Sequence, residues 1–344
     1  MGKKLGASFL KTKILLRESG VQREITISSE DKPDIPDTLK SRWQALIDLS
    51  AEVFDMPAVL FMRIHKNDVE VYLKSSNKEN PYEVHQKEPL GSGLYCETAI
   101  GEDEPFKIPN ALKDDRWKDN PDVNLGMVAY FGIPIKWNDS EVFGTLCFLD
   151  NEENPFALTH KKALETYQAI IEGDLHTLEV TTHLDKLARY DSLTEIPNRL
   201  SLYERLEEAT NLYHRNHDPF CFVILDIKDF KAINDKYGHD EGDEVLRAMG
   251  RCLRKRLRTS DVYGRFDGDE FAMLLRGTTR DKAENVVSDL KIACAEEEPL
   301  KTYEVDFKYG IAEMNKAIKK PEMLYRIADQ AMMRAHAMST KEHF

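Results

Sequence analysis

An α+β fold is predicted: two domains, each a central, mostly antiparallel sheet with flanking helices, joined by a long helix. The 344-residue length suits about two domains. Strand-like runs with short turns alternate with helical patterns, and residues 159–188 keep helical periodicity without a break. The predicted segments are an N-terminal extension (1–35), a first domain (36–158), a connector helix (159–188) and a second domain (189–344).

The first domain is predicted to open with an amphipathic helix from Trp43. Runs at 59–64 and 69–73 predict two strands, and runs at 132–137 and 142–150 predict a β-hairpin around a short polar turn. The apolar face of the helix is assigned to Leu46, Leu49, Ser50 and Val53.

The connector carries an apolar stripe, interrupted at Thr182 and Asp185. One interpretation is a helix packed on its own domain, and the other is a parallel two-stranded coiled coil that joins a homodimer. The position between two domains favours the dimer. The stripe residues are Leu164, Ile171, Leu175, Leu178, Leu184 and Leu187.

The second domain alternates helical and strand patterns, which predicts a second antiparallel sheet with helices. Strands are predicted at 220–227 and 305–312, with a hairpin around 262–275. The predicted helices lie near 198–215, 240–257, 281–296 and 321–337.

Composition excludes several classes of protein. A net charge of −13 argues against general binding to nucleic acid or to anionic membranes. No run approaches the ~20 apolar residues of a membrane span, and the basic start lacks the apolar stretch of a signal peptide. A cytoplasmic location is therefore expected. The cysteines lack C-x-x-C spacing and are interpreted as reduced core thiols rather than a metal or disulfide framework: Cys96, Cys147, Cys221, Cys252 and Cys294.

Acidic residues mark the candidate catalytic site. Asp226 ends an apolar strand, and Asp269 and Glu270 follow an Asp267-Gly268 turn between two apolar runs. Alone, an acidic hairpin is most simply a solubilising turn. If the Asp226 strand is adjacent, however, Asp226 and Asp269 can share one or two Mg²⁺ ions for phosphoryl or nucleotidyl transfer.

The neighbouring segments decide between these interpretations. DSLTEIPNRL (191–200), LDIKDFKAINDKYGHDEGD (225–243), RTSDVYGRFDGDEF (258–271) and LYRIADQAMMRA (324–335) together resemble the GGDEF family of diguanylate cyclases over about 150 residues. The resemblance implies condensation of two GTP into cyclic di-GMP and two pyrophosphates, with one GTP on each of two facing domains and Mg²⁺ or Mn²⁺ as cofactor.

The resemblance also implies residue roles. Asp226, Asp269 and the backbone carbonyl of Ile227 would hold metal, and Glu270, with Asp269, would be catalytic, as a base or a further ligand. Asn234 and Asp243 would read the guanine edge. Backbone N–H groups of loop 228–231 would cradle phosphates, with Lys231 and Gly268 also assigned to substrate.

The RTSD segment contains Arg258 and Asp261 and resembles the family's inhibitory site for cyclic di-GMP. A bidentate arginine suits guanine and phosphate. The alternative is a simple ion pair at a helix end.

Four positions depart from the family's pattern: Asp267 for a glycine, Lys228 for an aspartate, His336 for a lysine, and Thr340 for an arginine. The lost basic groups would weaken phosphate binding, and Lys228 is expected to replace them only in part. We expect an active enzyme. The alternatives are a degenerate domain that binds GTP or cyclic di-GMP without turnover, and a module that only dimerises.

The first domain resembles the GAF family, on the segments LYCETAI (94–100), 104–123, YFGIPI (130–135) and GTLCFLD (144–150). This implies a sensor for a small ligand of unknown identity. Cys96 is interpreted as a buried thiol rather than a chromophore attachment point.

Overall fold

The computed structural model describes residues 13–18, 21–27 and 32–339. The chain divides into two compact units, residues 1–182 and 183–344, and one helix runs from the first into the second. Each unit has an antiparallel sheet with helices. The predicted α+β class is therefore confirmed.

The first unit is built on a six-stranded antiparallel sheet in the order β5-β4-β3-β8-β7-β6, and β1 and β2 form a separate two-stranded ladder in the predicted extension. A 3₁₀ turn lies at Ala111–Lys113. The strands are β1 Lys13–Glu18, β2 Val21–Thr26, β3 Ala58–Ile64, β4 Asp68–Lys74, β5 Lys87–Pro89, β6 Phe106–Ile108, β7 Ala129–Lys136 and β8 Val142–Asp150. The helices are α1 Asp37–Phe54, α2 Tyr95–Glu102, α3 Pro121–Asn124 and α4 Leu158–Arg189.

Side-chain alternation along β3 gives this sheet two buried faces. Val59 and Phe61 pack with α1 and α4, whereas Leu60 and Met62 pack with α2 on the other face. All five cysteines of the chain are buried free thiols, which fits their interpretation as core residues.

Helix α1 differs from the prediction. It begins at Asp37 rather than Trp43, because Pro36 precedes the first turn and suits that place. Trp43 and Ile47 face the sheet, but Leu49 and Val53, predicted to be inward, are 51% and 63% exposed. Apolar residues recur at helical spacing on two overlapping faces of α1. Spacing alone therefore did not show which of the two faces is buried.

Helix α4 packs on its own domain along the first half of its apolar stripe. Leu164, Ile171 and Leu175 are buried in the core of the first unit, so this half packs on its own domain. Leu184 and Leu187 are more than half exposed. The prediction that the whole stripe lies in a dimer interface was therefore wrong for the first half of α4. The exposed apolar residues of the second half can still contact a partner.

The second unit is built on a four-stranded antiparallel sheet in the order β10-β11-β9-β12. The predicted helix near 240–257 is preceded by a separate short helix, α6, which the sequence analysis missed because Gly238 ends it after two turns. The strands are β9 Phe220–Ile227, β10 Val262–Asp267, β11 Glu270–Arg276 and β12 Phe307–Glu313. The helices are α5 Arg199–Asn216, α6 Phe230–Tyr237, α7 His239–Arg256, α8 Arg280–Cys294 and α9 Pro321–Ser339.

Strand β9 fixes which side of this sheet carries Asp226. Val223, Leu225 and Ile227 face the core formed with α7 and α8, whereas Phe222 and Ile224 face the core formed with α5 and α9. Asp226 has the same parity as the second pair and lies on the α5 and α9 side. Among the described residues, no helix is long and apolar enough to cross a membrane.

Candidate active site and a second cavity

Three charged side chains meet in register where the central strand β9 ends. Glu270 of β11 lies directly opposite Asp226, and Lys308 of β12 lies opposite it on the other side. Residues directly opposite in an antiparallel pair share a face of the sheet. The structure therefore places Glu270, rather than the predicted Asp269, directly opposite Asp226, and it adds Lys308, which the sequence did not single out.

The charges in this row are coupled. Lys308 Nζ lies 3.1 Å from Asp226 Oδ1, with side-chain exposures of 33% and 16%. Burial raises the pKa of Glu270, and the nearby carboxylates of Asp226 and Asp329, among others, raise it further. Glu270 is thus an acid that gains from a nearby cation.

The hairpin tip differs in detail from the predicted turn. Asp267 is the last residue of β10 and pairs with Glu270, so the two-residue loop is Gly268-Asp269 rather than Asp267-Gly268. Gly268 has φ of +42°, which suits glycine, while Asp267 and Asp269 do not take positive φ. The backbone carbonyl of Asp269 accepts a hydrogen bond of 3.3 Å from the N–H of Ile227, which holds the tip against the end of β9.

An ion pair supports the hairpin from outside. Arg265 Nη1 donates to both carboxylate oxygens of Asp191 at 3.1 and 3.2 Å, and its Nε donates to the carbonyl of Gly268 at 2.8 Å. Burial acts to raise the pKa of Asp191, but hydrogen bonds from Thr194 and Arg265 outweigh it and hold that pKa below its usual range. Asp191, at the start of the segment 191–200, therefore stabilises the acidic turn through its contacts with Arg265.

A divalent metal fits the carboxylate pair only in part. Within residues 13–18, 21–27 and 32–339, no three His, Cys, Asp or Glu side chains form a ready metal cluster. Mg²⁺, however, is commonly held by one or two carboxylates together with substrate phosphates and water. Asp226 and Glu270, with Asp269 and the Ile227 carbonyl beside them, suit that mode of binding.

The predicted guanine residues lie on two consecutive helices. Gly238 joins α6 to α7, and Asn234 packs over the first turns of α7. A Cβ atom built on Gly242 would lie 1.9 Å from Asn234 Oδ1, so only glycine leaves room for this amide. Asn234 therefore lies against Gly242, the neighbour of Asp243, and both predicted side chains are half-buried.

The predicted phosphate loop is partly committed to other contacts. The N–H of Lys228 donates to the Asp306 carbonyl at 2.9 Å, and Lys228 Nζ pairs with the Asp306 carboxylate at 2.6 Å. That N–H is therefore not available to phosphate, and in this structure the ammonium is paired with Asp306. Lys231 lies exposed in the first turn of α6.

The RTSD segment forms a tight turn. The Asp261 carboxylate accepts the N–H of Arg258 at 3.4 Å and the N–H of Arg276 at 3.2 Å, which ties the turn to the end of β11. Asp261 thus has a structural task, while Arg258 is exposed. His336 lies within α9, but its side chain and Thr340 fall outside the described residues.

A separate cavity of about 240 Å³ lies in the first unit. The buried Asp122 carboxylate lines it and accepts a 2.7 Å hydrogen bond from the Tyr82 hydroxyl. Burial raises the pKa of Asp122 to about 6, and Glu88 adds to this effect. Burial also raises the pKa of Cys96 well above its usual range, which disfavours a reactive thiolate. The apolar lining includes Met62, Val69, Val71, Leu94 and Leu125.

The family described as "Diguanylate cyclase, GGDEF domain" matches residues 188–342. A diguanylate cyclase, DgcP, of Pseudomonas aeruginosa is 34% identical over 213 residues, covering 57% of this chain and 31% of the relative. DgcP of Escherichia coli is 28% identical over 251 residues, covering 69% of this chain and 71% of the relative. The chain therefore spans less than a third of the length of the first of these relatives.

Among solved structures, the diguanylate cyclase SiaD of Pseudomonas aeruginosa, in complex with its activator SiaC, is 26% identical. The match covers 52% of this chain and 68% of SiaD, with a TM-score of 0.41. The predicted resemblance of the second domain is confirmed by the family match over the residues that carry the site. Residues 188–342, the C-terminal part of the chain, thus match the GGDEF domain family of diguanylate cyclases.

Proposed function

We propose that the protein condenses two GTP molecules into cyclic di-GMP and two pyrophosphates. The observation that carries this proposal is the register of Asp226 and Glu270 at the end of the central strand, within the region that matches the family. Mg²⁺ or Mn²⁺ bound there would neutralise charge that develops on the α-phosphate.

The carboxylates divide the chemical work. Asp226 and Glu270 would hold the metal as a facing pair, with Asp269 and the Ile227 carbonyl completing the set from the turn. Burial raises the pKa of Glu270 and the surrounding acids raise it further, and Glu270 is also the candidate to take a proton from the attacking 3′-hydroxyl. The proton would pass to the Glu270 carboxylate as the 3′-oxygen forms its bond to the α-phosphorus, and the bond from that phosphorus to the pyrophosphate leaving group would break.

Specificity for guanine is assigned to Asn234 and Asp243. Guanine offers two adjacent donors, N1–H and its exocyclic amine, to a carboxylate, and adenine does not offer the same pair. A half-buried carboxylate that adenine leaves unpaired costs binding free energy. The close contact of Asn234 with Gly242 supports this assignment, since it fixes the amide beside Asp243. Phosphates would meet Lys231, Gly268 and the N–H groups that open α6.

Two copies of the chain are required by this chemistry, because each domain is proposed to hold one GTP. A homodimer through the second half of α4 is supported by the exposed side chains of Val180, Leu184 and Leu187, which recur at helical spacing. Tethering would raise the effective concentration of the second site to roughly the millimolar range.

The first unit is proposed to be a GAF-type sensor of a small molecule. The cavity beside Asp122 supports this role, since its apolar lining with a few polar groups is typical of ligand sites. A ligand there would change activity only if it binds two arrangements of the dimer with different affinity.

Product inhibition at the RTSD turn is a further part of the proposal. Arg258 is exposed on a turn that Asp261 holds rigid, which suits recognition of a guanine or phosphate. Arg258→Ala should relieve inhibition by added cyclic di-GMP. A titration in which parent and variant are inhibited equally would remove this site.

The main test is to incubate the full chain with GTP and Mg²⁺ and to detect cyclic di-GMP by mass spectrometry. Product is expected from GTP and not from ATP. GTP binding without product would instead support the alternative, a degenerate domain that acts as a GTP or cyclic di-GMP effector. The pairing of Lys228 with Asp306 favours that alternative, since in this structure the Lys228 ammonium does not take the place of the missing basic groups.

A further inference from the structure

Lys308 is a cation positioned at a proposed metal ligand. It lies opposite Asp226 in the β9–β12 register, and its ammonium is 3.1 Å from the carboxylate oxygen. On the same face of β12, Gly310 and Ala312 follow at two-residue intervals, and a Cβ on Gly310 would lie 1.9 Å from the carbonyl of Ala328 in α9. A long charged side chain at the end of such a closely packed face calls for an explanation beyond packing.

Other cations near the sheet are held by different acids. Lys228 and Lys291 both pair with Asp306 at 2.6 Å, and Arg265 pairs with Asp191. The ammonium of Lys308, by contrast, contacts the acidic row itself. It lies beside the facing carboxylates of Asp226 and Glu270 and offsets part of their mutual repulsion.

A lysine side chain is suited to leave its contact with Asp226 when another cation binds there. Its ammonium is a compact charge on a flexible four-carbon stem, and Lys308 is one-third exposed, so the head can swing without opening the core. A divalent ion that binds Asp226 competes directly with the ammonium for the same oxygen. The triphosphate that arrives with the metal supplies several anionic oxygens as new partners.

We propose that Lys308 is the placeholder cation of the metal site and that it moves to the triphosphate when metal and GTP bind. The residue would thereby supply one of the basic contacts that His336 and Thr340 no longer offer. This inference rests on the proposed function, but it makes a separate statement: Lys308 opposes binding of metal alone and favours binding of metal with nucleotide.

The experiment measures two affinities on the full chain. Mn²⁺ alone is titrated by electron paramagnetic resonance, and an α,β-methylene analogue of GTP is titrated with Mg²⁺ by calorimetry. In Lys308→Met, Mn²⁺ should bind about threefold more tightly, since a weak competing ion pair is lost. The nucleotide analogue should bind about tenfold or more weakly, since a charged hydrogen bond is lost.

Lys291→Met is the matched control, because Lys291 has 34% side-chain exposure and pairs with Asp306 instead. Both of its affinities should equal those of the parent. Lys308→Arg should keep the affinity for the nucleotide within a few-fold, since it keeps the charge.

Opposite shifts in Lys308→Met are the result expected here. Two shifts in the same direction, or none, would overturn the proposal, as would an arginine variant that loses the nucleotide as fully as the methionine variant. A parent protein that binds the analogue but makes no cyclic di-GMP would instead count against the proposed activity alone.

Discussion

The two units of the chain hold their acidic side chains differently. In the first unit, Asp122 is 8% exposed and its carboxylate meets a tyrosine hydroxyl. In the second unit, Glu270 and Asp226 are half-buried at the end of a sheet and face one another. Burial is the largest cause of the raised pKa at both Asp122 and Glu270, but four neighbouring acids add to it at Glu270 and only Glu88 at Asp122.

This difference predicts different responses of the two groups of acids to a cation and to a proton. A divalent cation held by Asp226 and Glu270 would relieve the repulsion between these carboxylates without removing their charge. Asp122, enclosed by apolar residues, is relieved most directly by taking up a proton. We therefore expect substitutions in the second unit to change catalysis and substitutions in the first unit to change stability.

The largest effect is expected from Asp226→Asn or Glu270→Gln. Loss of either metal ligand should lower the rate of cyclic di-GMP synthesis at least about a thousandfold, because metal stabilisation of the transition state contributes several kcal/mol. Rates are measured by chromatography of the product at saturating GTP and Mg²⁺.

Asp289→Asn, which removes an exposed charge on α8, is the control and should act as the parent does. Full activity in either ligand variant would mean that the facing pair does not hold the metal.

The contrast recurs within helix α4, where one half is buried and the other is exposed. Ile171→Ala should lower the free energy of unfolding of the first unit by about 2–5 kcal/mol, since Ile171 is 1% exposed. The double variant Leu184→Glu/Leu187→Lys should leave that stability unchanged but weaken the dimer, since these side chains are exposed.

Urea denaturation and analytical ultracentrifugation measure the two effects on α4. Activity at low protein concentration should fall with dimerisation. A double variant that stays monomeric and still cyclises GTP at the parent rate would refute the role of this helix.

A third expected effect concerns pH. The pKa of Asp122 is about 6 in the folded protein and near 3.8 when it is unperturbed, so the folded state binds the proton more tightly. Stability from this group is present below about pH 4 and is lost as the pH rises through 6, by up to about 3 kcal/mol.

Asp122→Asn should remove that dependence and stabilise the first unit at pH 7.5, because its amide oxygen can still accept the Tyr82 hydrogen bond. Urea midpoints at pH 5 and pH 7.5 test this. If parent and variant show the same pH dependence, Asp122 is not the titrating group.

The smallest expected effect is on nucleotide selectivity. Gly242→Ala would push its Cβ into Asn234 Oδ1 and move the amide away from Asp243. The ratio of kcat/KM for GTP over ATP should fall about tenfold.

Gly173→Ala, whose Cβ would meet no atom within 4 Å, is the control and should keep the parent ratio. An unchanged ratio in Gly242→Ala would separate Asn234 from recognition of the base.

Local sequence patterns were enough to predict the α+β class and most of the elements, and they singled out the acidic residues proposed for the site. The apolar run 220–227 predicted β9 at its observed bounds, since a strand is recognised from local composition. The turn motif predicted the acidic hairpin but was displaced by one residue, because the register with β9 fixes where β10 ends. The family resemblance of the second half followed from the same local motifs.

Which charged side chains lie next to Asp226 depends on the pairing of distant strands, so local sequence patterns did not predict it. That Glu270 rather than Asp269 lies opposite Asp226 depends on the β9–β11 register, and the contact of Lys308 depends on a strand about 80 positions later in the chain. The buried half of α4 was likewise chosen by the sheet on which it packs. Periodicity is a local property of the sequence, whereas pairing between distant strands follows from how the whole core is filled.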